Sequence, residues 1–561
     1  MFPCGRKTAP LIVAAVLAAS LITVFSTAAP ADADDHCRAE VDHTVVADWG
    51  SGFQARVTID NTGETSIDGW RVTLTYPEPV TVGNPGWGAT GPVPIDPHTI
   101  VFESTAWNGT IAPGGRTGFG FVASGGGGAP SITLAVAGED CDLGGTEAPG
   151  PANPYQDAEV YVDLDWSAQA SSGGAPAEVA DQATAVWLDG IGAIAGEGAV
   201  GMGLADHLDE AVAQGADLVQ IVLYNLPGRD CAALDPDGEL APDEIDVYKS
   251  EFVDPIADII GDPVYEGLDV VAVVEPYAIP NLAAHTDPSP FATEECDVMG
   301  DNGNYMEGIA YAVTELADVG VYNYLDAADH AAIGWHDANP AYDEFGNAVE
   351  LFGQMLSMGV DPGDVDGIAT NTAGYAATVE PYFDADDVVG GTPVTQTDWI
   401  DFNSYIDEYD FASDLRNAVV DEGFDQDLGI IIDTSRNGWG GPDRPTATSG
   451  SSDPAAYVDE SRIDRRISKQ DRCNQDGAGL GARPQAEPIA DPNLHAYAWI
   501  KPPGLSDGSD GPVLVPGQGY DSTCAPEYGS LQGAPPRGEW FQGHFDQLLR
   551  NAWPPLEPVT E

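Results

Sequence analysis

The chain has 561 residues, of which 20 are Lys or Arg and 91 are Asp or Glu, so its formal net charge is −71. A surface of this charge repels a phosphate backbone, which excludes nucleic acid as a partner on electrostatic grounds. The length favours two domains over a single hydrophobic core.

The acidic charge has two interpretations. At ordinary ionic strength it destabilises the compact state through self-repulsion, whereas at about 1 M salt the Debye length falls to about 3 Å and screens that repulsion. We therefore hypothesise a salt-adapted protein. The alternative is an acidic protein without special salt demand. A melting temperature that does not rise between dilute buffer and molar NaCl would exclude the first interpretation.

Residues 1–33 have the pattern of a secretory signal peptide. Arg6 and Lys7 form its basic start, residues 11–25 are apolar, and Ala31 and Ala33 fit a cleavage site. The apolar run is too short for a membrane-spanning helix, and no later stretch is long enough. We expect a secreted, extracellular protein without a membrane segment.

Residues 36–141 predict a domain built of strands alone. Within 53–60, Phe, Ala, Val and Ile alternate with Gln, Arg, Thr and Asp, as in a strand with one face buried. Gly and Pro clusters separate this run from similar ones at 70–74 and 119–121, which favours a β-sandwich. The proline-containing residues 142–154 then form a short linker with little reach.

From residue 155 to residue 561, apolar strands alternate with helical segments such as 305–316 and 402–422, which predicts a parallel β/α barrel. The predicted strands are 159–164, 218–224, 268–275, 319–325, 367–371, 429–433 and 496–500. In such barrels the catalytic groups lie at the carboxyl ends of the strands. Five polar residues occupy these positions: Asp230, Glu275, Asp326, Asp433 and Lys501.

Six cysteines remain once Cys4 leaves with the signal peptide. An even number fits disulfides in an oxidising compartment, although the residues alone leave the pairing open. The sequence has no Cys-x-x-Cys or paired-His spacing, so we predict no metal site and no cofactor.

The first domain resembles carbohydrate-binding module family 2 along its whole length. The matching text lies at 49–53, 68–70, 107–110 and 112–121. In that family three exposed tryptophans stack on crystalline cellulose, and the resemblance assigns this role to Trp49, Trp87 and Trp107. An indole face offers broad apolar contact to a sugar ring, and several exposed tryptophans mark a binding surface. Trp70 lies on an apolar strand face and is expected in the core. The expected partner is cellulose or a related β-glucan.

The second domain resembles glycoside hydrolase family 6, the inverting cellulases, and most closely its bacterial cellobiohydrolase branch. The matching text lies at 185–189, 222–233, 271–282, 433–441, 457–466 and 499–504. The resemblance implies a distorted, TIM-like barrel that acts on β-1,4-glucan. We expect the protein to be a monomer. Together the two resemblances imply three disulfides, Cys37–Cys141, Cys231–Cys296 and Cys473–Cys524.

The family pattern assigns roles to several residues in the second domain. Inverting hydrolysis needs one carboxyl group that donates a proton and another that activates water. The resemblance makes Asp507 the general base, Asp230 the supporter of the acid, and Tyr224 the residue that crowds the distorted sugar. Other candidate substrate contacts are Trp166, Asp326, Trp335 and Lys501.

The general-acid position departs from the family pattern. The family carries Glu-Pro-Asp where this chain has Glu275-Pro276-Tyr277. A phenol has an ordinary pKa of about 10 against about 4 for a carboxyl group, and losing general-acid help costs about 10² to 10⁴ in rate. Asp230 is the candidate substitute donor, since family members already use Glu275 otherwise.

Further departures lie in the same cleft. Pro236 replaces a small residue that helps to place the catalytic water, and Leu505 replaces a substrate-contacting Glu. Asp329 stands in place of His, and Ala332 and Arg472 in place of sugar-stacking Trp.

Three hypotheses follow for the function. The chain is a β-1,4-glucanase with a relocated acid, a non-catalytic cellulose-binding protein, or a hydrolase of a different β-glycan.

Overall fold

The structure is a computed structural model. It describes residues 39–48, 52–62, 65–76, 79–94, 98–105, 107–125, 131–136, 139–140, 153–196, 201–233, 238–337, 339–509, 511 and 522–557. Predictions for the signal peptide, Trp49, Pro236, the disulfide Cys37–Cys141 and most of the linker lie outside these residues.

The first domain is a sandwich of two antiparallel sheets, as its alternating sequence predicts. Its strands are β1 (Glu40–Asp48), β2 (Gly52–Asp60), β3 (Ile67–Asp68), β4 (Trp70–Thr75), β5 (Val80–Trp87), β6 (Thr90–Pro94), β7 (Thr99–Glu103), β8 (Thr110–Ile111), β9 (Arg116–Gly125), β10 (Ser131–Val136) and β11 (Glu139–Asp140). One sheet has the order β1-β2-β9-β5 and the other β11-β10-β4-β7-β6.

The core between the two sheets is aromatic. Phe53, Phe102, Phe119 and Phe121 are buried there, and Trp70 stacks on Phe119 with ring centroids 5.3 Å apart. The Trp70 indole donates to the Asn108 carbonyl at 2.9 Å, so its polar atom is satisfied inside the core. Trp70 is therefore a core residue, as its apolar strand face predicts.

The second domain contains an eight-stranded curled sheet of order β12-β13-β14-β15-β16-β19-β21-β20. Its strands are β12 (Val186–Leu188), β13 (Leu218–Leu223), β14 (Asp269–Val274), β15 (Tyr322–Asp326), β16 (Gly367–Thr370), β19 (Gly429–Asp433), β20 (Gln485–Ala486) and β21 (Leu494–Ala498). A separate hairpin is made by β17 (Val388–Val389) and β18 (Thr392–Pro393). The neighbours from β12 to β21 are parallel, and β20 pairs antiparallel with β21.

The helices lie between these strands. They are α1 (Leu164–Ser172), α2 (Ala177–Ala180), α3 (Ile191–Ile194), α4 (Leu204–Gln214), α5 (Ile245–Val247), α6 (Asp254–Ile260), α7 (Ala278–His285), α8 (Glu294–Asn302), α9 (Asn304–Ala317), α10 (His330–Ile333), α11 (Glu344–Met358), α12 (Glu408–Asp421), α13 (Pro454–Ser461) and α14 (Gln542–Arg550). Residues Tyr248–Val253 form a π-helical turn between α5 and α6.

The sheet curls so that its two outermost parallel strands approach each other. The Ala185 amide, just before β12, donates to the Trp499 carbonyl, just after β21, at 3.1 Å. The parallel strands are buried on both faces, and Val222 packs inside the curl while Ile221 and Leu223 pack towards the helices. The prediction of a distorted, TIM-like barrel beside a β-sandwich is confirmed.

One predicted strand is wrong, and the short strands β12, β17, β18 and β20 were missed. Within 159–164 only Val160 makes a β-bridge, to Leu218. Asp163 ends this run because its side chain accepts from the Asp165 and Trp166 amides and caps α1. Of the missed strands, β12 has three residues and the other three have two each.

The disulfides Cys231–Cys296 and Cys473–Cys524 are present, so both pairings are confirmed. Cys231 adjoins Asp230, and Cys473 adjoins Arg472. Both bridges therefore anchor loops at the carboxyl ends of the strands. No helix among the described residues is long and apolar enough to cross a membrane.

Candidate active site

The predicted polar residues lie at the carboxyl ends of the barrel strands, where catalytic groups of such folds gather. Asp326 ends β15, and Glu275 directly follows β14. The backbone here is unusual, with positive φ at Asp230 (59°), Glu275 (49°) and Tyr277 (64°). Such conformations are uncommon for residues with a side chain, and they cluster at functional sites.

Asp507 is held as a hydrogen-bond acceptor. Its Oδ1 accepts from Arg436 Nη1 at 2.7 Å, and its Oδ2 accepts from the Tyr375 hydroxyl at 2.7 Å and the Asn474 amide at 2.8 Å. Burial alone would raise the pKa of Asp507, but the charges of Arg436 and Lys501 outweigh it and hold the pKa below its ordinary value. Asp507 is therefore an ionised carboxylate near neutral pH.

Lys501 lies close to this carboxylate. Its ammonium is 4.9 Å from the centroid of the Trp187 ring, and its side chain is largely buried. Burial lowers the pKa of Lys501 to about 8, while the charge of Asp507 opposes this shift. Lys501 and Asp507 thus lie near enough to interact electrostatically, and their role in substrate binding stays a prediction.

Asp230 lies opposite a second arginine. Its Oδ1 accepts from the Tyr224 hydroxyl, and its Oδ2 accepts from Arg537 Nη1 at 3.1 Å. Arg537 also donates through Nε to the Asp507 carbonyl at 3.3 Å. One guanidinium therefore links the Asp230 loop to the Asp507 loop, and both oxygens of Asp230 act as acceptors.

Three of the departures from the family pattern touch one another. Arg472 Nη1 donates to the Tyr277 hydroxyl at 2.6 Å and to Asp329 Oδ2 at 2.8 Å, and Nη2 donates to Asp329 Oδ1 at 3.0 Å. Asp329 is fully buried, and the Arg472 side chain is 28% exposed. We call Tyr277, Arg472 and Asp329 the replacement cluster. The three substitutions form one hydrogen-bonded unit.

The replacement cluster fixes the direction of the Tyr277 hydroxyl. Because its oxygen accepts from Arg472, its proton points to the Thr372 carbonyl, to which it donates at 3.2 Å. Burial raises the pKa of Tyr277 further above the ordinary value for a phenol, and the charge of Arg472 only partly offsets this. The hydroxyl group stays protonated, and its proton is directed into the protein.

Two other carboxyl groups nearby are held by the backbone. Asp326 is 2% exposed, and its Oδ1 accepts from the Tyr277 and Ala328 amides at 2.8 and 2.9 Å. Burial raises the pKa of Asp326 to about 6. Glu275, also 2% exposed, accepts from the Asn225 and Leu226 amides and fixes the loop after β13. This burial argues against the predicted role of Asp326 as a substrate contact.

The two predicted sugar platforms differ. Trp166 is 4% exposed, donates from its indole to the Pro503 carbonyl at 3.0 Å and packs on Trp499, so it belongs to the core and is not proposed further as a sugar platform. Trp335 is half-buried, and the Lys469 ammonium lies 4.6 Å from its ring centroid. Trp335 remains a candidate for sugar contact.

Sequence reasoning missed several residues of the site. Arg436 and Tyr375 donate hydrogen bonds that position Asp507, and Arg537 contacts both the Asp230 loop and the Asp507 loop. Arg436 lies in the motif at 433–441, so the motif could have identified it as a candidate site residue. Arg537 lies 307 residues from Asp230 along the chain, and no pattern pointed to it. Among the described residues, no group of three His, Cys, Asp or Glu side chains is arranged to hold a metal ion.

Comparison with known proteins places both domains. The sequence profile of the Glycosyl hydrolases family 6 matches residues 150–552, and that of the Cellulose binding domain matches residues 39–141. Exoglucanase A of Cellulomonas fimi is 37% identical over 442 residues, which cover 73% of this chain and 49% of that protein. The chain thus spans about half the length of this relative.

A fungal relative and two solved structures show the same similarity for the second domain. The 1,4-beta-D-glucan cellobiohydrolase CEL6C of Podospora anserina is 32% identical over 386 residues, or 68% of this chain and 79% of that protein. The catalytic domain of Cellulomonas fimi Cel6B superposes with a TM-score of 0.68 at 35% identity, covering 74% of this chain and 98% of that domain. CcCel6C of Coprinopsis cinerea gives a TM-score of 0.57 at 26% identity, covering 73% and 100%.

Proposed function

The chain belongs to glycosyl hydrolase family 6, and on this basis we propose that it is a secreted, cellulose-directed protein whose cleft can activate water but cannot protonate the leaving sugar. It binds cellulose through the first domain and a β-1,4-glucan chain in the second. Unaided cleavage of that glucan is slow.

Asp507 is the residue that we propose activates water. A general base must be unprotonated and within reach of water. Asp507 is ionised near neutral pH and only partly buried, with 14% of its side chain exposed. Arg436, Tyr375 and Asn474 fix its position. We assign it the role of the base that activates water for inversion.

The missing proton donor rests on one observation, the hydrogen bonding of Tyr277. Its hydroxyl accepts from Arg472 and donates to the Thr372 carbonyl. A general acid must direct its proton at the leaving oxygen. Tyr277 directs its proton into the protein instead, so it does not serve as the acid.

Asp230 does not take over the donor role. Both of its oxygens accept hydrogen bonds, one from Tyr224 and one from the positively charged Arg537. With both oxygens accepting hydrogen bonds, Asp230 offers no O–H group to the leaving oxygen.

The leaving-group dependence of hydrolysis tests the proposal. A dinitrophenyl β-cellobioside releases its phenolate without protonation, whereas cellotetraose requires an acid. We expect the unmodified protein to hydrolyse the aryl substrate with a kcat that is about 10² to 10⁴ times its kcat on cellotetraose. Asp507→Asn, the control for the water-activating side, should lose the aryl activity. Similar kcat values on both substrates would contradict the absence of an acid.

The proposal that the first domain binds cellulose is supported by an exposed tryptophan side chain. Trp107 is 68% exposed, unlike the buried Trp70. Trp87 belongs to β5, but its side chain lies outside the structural description, as does the whole of Trp49. The exposed indole fits stacking on a sugar face.

Substitution of these tryptophans tests the binding role. We expect Trp107→Ala, and more strongly Trp49→Ala with Trp107→Ala, to weaken retention on crystalline cellulose, since an aromatic anchor contributes about 2 kcal/mol, or about thirty-fold in affinity. Trp553→Ala is the matched control, because Trp553 is an exposed tryptophan of the second domain (43%). Equal loss in the control variant would argue against a specific face on the first domain.

A second candidate function follows from the polarity of the replacement cluster. Arg472 and Asp329 stand where the family has a sugar-stacking Trp and a His, so an apolar contact to glucose has become polar. This change favours a glycan other than cellulose in the cleft. Efficient hydrolysis of such a β-glycan, with cellotetraose unreacted, would select this candidate.

A further inference from the structure

The outer face of the β1–β2 pair in the cellulose-binding domain is covered, although its sequence predicts a polar, solvated surface. Phe53, Ala55 and Val57 point into the sandwich core. Gln54, on the opposite face of β2, is only 2% exposed, and Thr44, opposite Arg56 in the register of β1 and β2, is 7% exposed. Something outside the sandwich therefore removes this face from solvent.

The covering surface belongs to the catalytic domain. Val46, on β1, packs into the hydrophobic cluster of the catalytic domain and not into the sandwich core. The Thr44 side chain hydrogen-bonds to Tyr409 at the start of α12. A small cavity between the domains is lined by Val46, Gln54 and Arg56 on one side and by residues of 379–410 on the other. The contact thus joins β1–β2 to the amino-terminal end of α12 and the preceding loop.

Arg56 supplies the charge at the centre of this contact. Its two terminal nitrogens pair with the two carboxylate oxygens of Asp410 in α12. Asp384, Asp407 and Asp414 lie near enough to interact electrostatically with the same guanidinium. A planar guanidinium paired bidentately with one carboxylate gives directional as well as electrostatic binding. We call these four aspartates the acidic socket.

Two of the three arginines in residues 39–141 lie near carboxylates of the catalytic domain. In residues 39–141 the cations are Arg56, Arg71 and Arg116. Arg71 lies on the other sheet, where it pairs with Glu103 and its side chain is 57% exposed. Arg116 pairs with Asp60 of its own domain and also interacts electrostatically with Asp414. Arg56 meets several carboxylates of the catalytic domain at once, so a chain with a net charge of −71 has an attractive contact where its domains meet.

The connection between the domains favours docking. Twelve residues, 141–152, separate the end of β11 from the first described residue of the second domain. Fully extended, they reach at most about 40 Å. A tether this short gives an effective concentration on the order of millimolar, so a modest contact suffices to hold the domains together.

We propose that the cellulose-binding domain is docked on the catalytic domain in one fixed orientation, with Arg56 in the acidic socket, so that the two domains act as one rigid body. Trp107 stays 68% exposed in this arrangement, so docking leaves the proposed cellulose contact free. The proposal does not depend on whether the cleft hydrolyses cellulose.

Small-angle scattering of the full chain tests the docking. We expect the unmodified protein to scatter as a single compact body in dilute buffer and in molar NaCl. Arg56→Glu places a fifth negative charge against the acidic socket and should release the domain, with an increase in maximum dimension of at least about 10 Å, up to the reach of about 40 Å set by the linker. Arg71→Glu is the matched control and should leave the maximum dimension unchanged.

Two further measurements separate undocking from misfolding. Arg56→Glu should still bind cellulose within about twofold of the unmodified protein, since its fold and Trp107 are intact. Adding Asp410→Arg to Arg56→Glu restores an opposite-charge pair and should return the compact dimension. Scattering from two independently moving bodies in the unmodified protein, or no change in Arg56→Glu, would overturn the proposal.

Discussion

Tyr277→Asp alone is expected to restore little hydrolysis, whereas Tyr277→Asp with Asp329→His and Arg472→Trp should raise kcat on cellotetraose by about 10² to 10⁴. The reason is the hydrogen bond from Arg472 Nη1 to the Tyr277 hydroxyl. A carboxyl group placed beside this guanidinium is held ionised and so cannot donate a proton. The general acid returns only when the arginine and its partner Asp329 are replaced with it.

The triple variant also avoids leaving an unpaired charge in the protein interior. Removing Arg472 alone leaves the buried Asp329 without its cation, and Asp329→His removes that charge at the same time. Adding Asp507→Asn to the triple variant should abolish the recovered activity, because both sides of the inverting reaction are then required. A full recovery in Tyr277→Asp alone would mean that Arg472 does not control the acid position.

Arg472→Ala should lower the free energy of unfolding by about 3 to 5 kcal/mol, the usual result of leaving a buried charge unpaired. Asp329 is fully buried and receives two hydrogen bonds from this guanidinium. Urea unfolding at neutral pH measures the effect.

Arg465→Ala is the matched control for this measurement. Its side chain is also 28% exposed, but its partner Asp459 is 60% exposed and 3.6 Å away. A pair of this kind contributes at most about 1 kcal/mol. If the free energy of unfolding fell equally in the two variants, the replacement cluster would contribute no more to stability than an exposed ion pair.

The sequence predicted the sites of change in the cleft but not their contacts. Tyr277, Asp329 and Arg472 each depart from a motif, and each departure was visible by itself. Arg472 lies 195 residues from Tyr277 and 143 from Asp329 along the chain. Motif spacing carries no information about such distant pairs, so the direction of the Tyr277 proton came only from the structure.

The fold was predictable where apolar runs are long. The run at 218–224 and its equivalents gave the parallel strands because both faces of such strands are buried. The three residues of β12 are too few for a clear pattern. The alternation in 53–60 correctly indicated which face of β2 enters the sandwich, but it could not indicate that the other face, with Gln54 and Arg56, meets a second domain.

The rate of reducing-sugar release from amorphous cellulose by the unmodified protein is the most direct measurement of the central claim. The reference is the catalytic domain of Cellulomonas fimi Cel6B, each protein being assayed at the salt concentration that suits it. We predict a kcat about 10² to 10⁴ below the reference, the deficit of a cleft with a base and no acid. A kcat within about tenfold of the reference would contradict this account, because general-acid loss costs more than that.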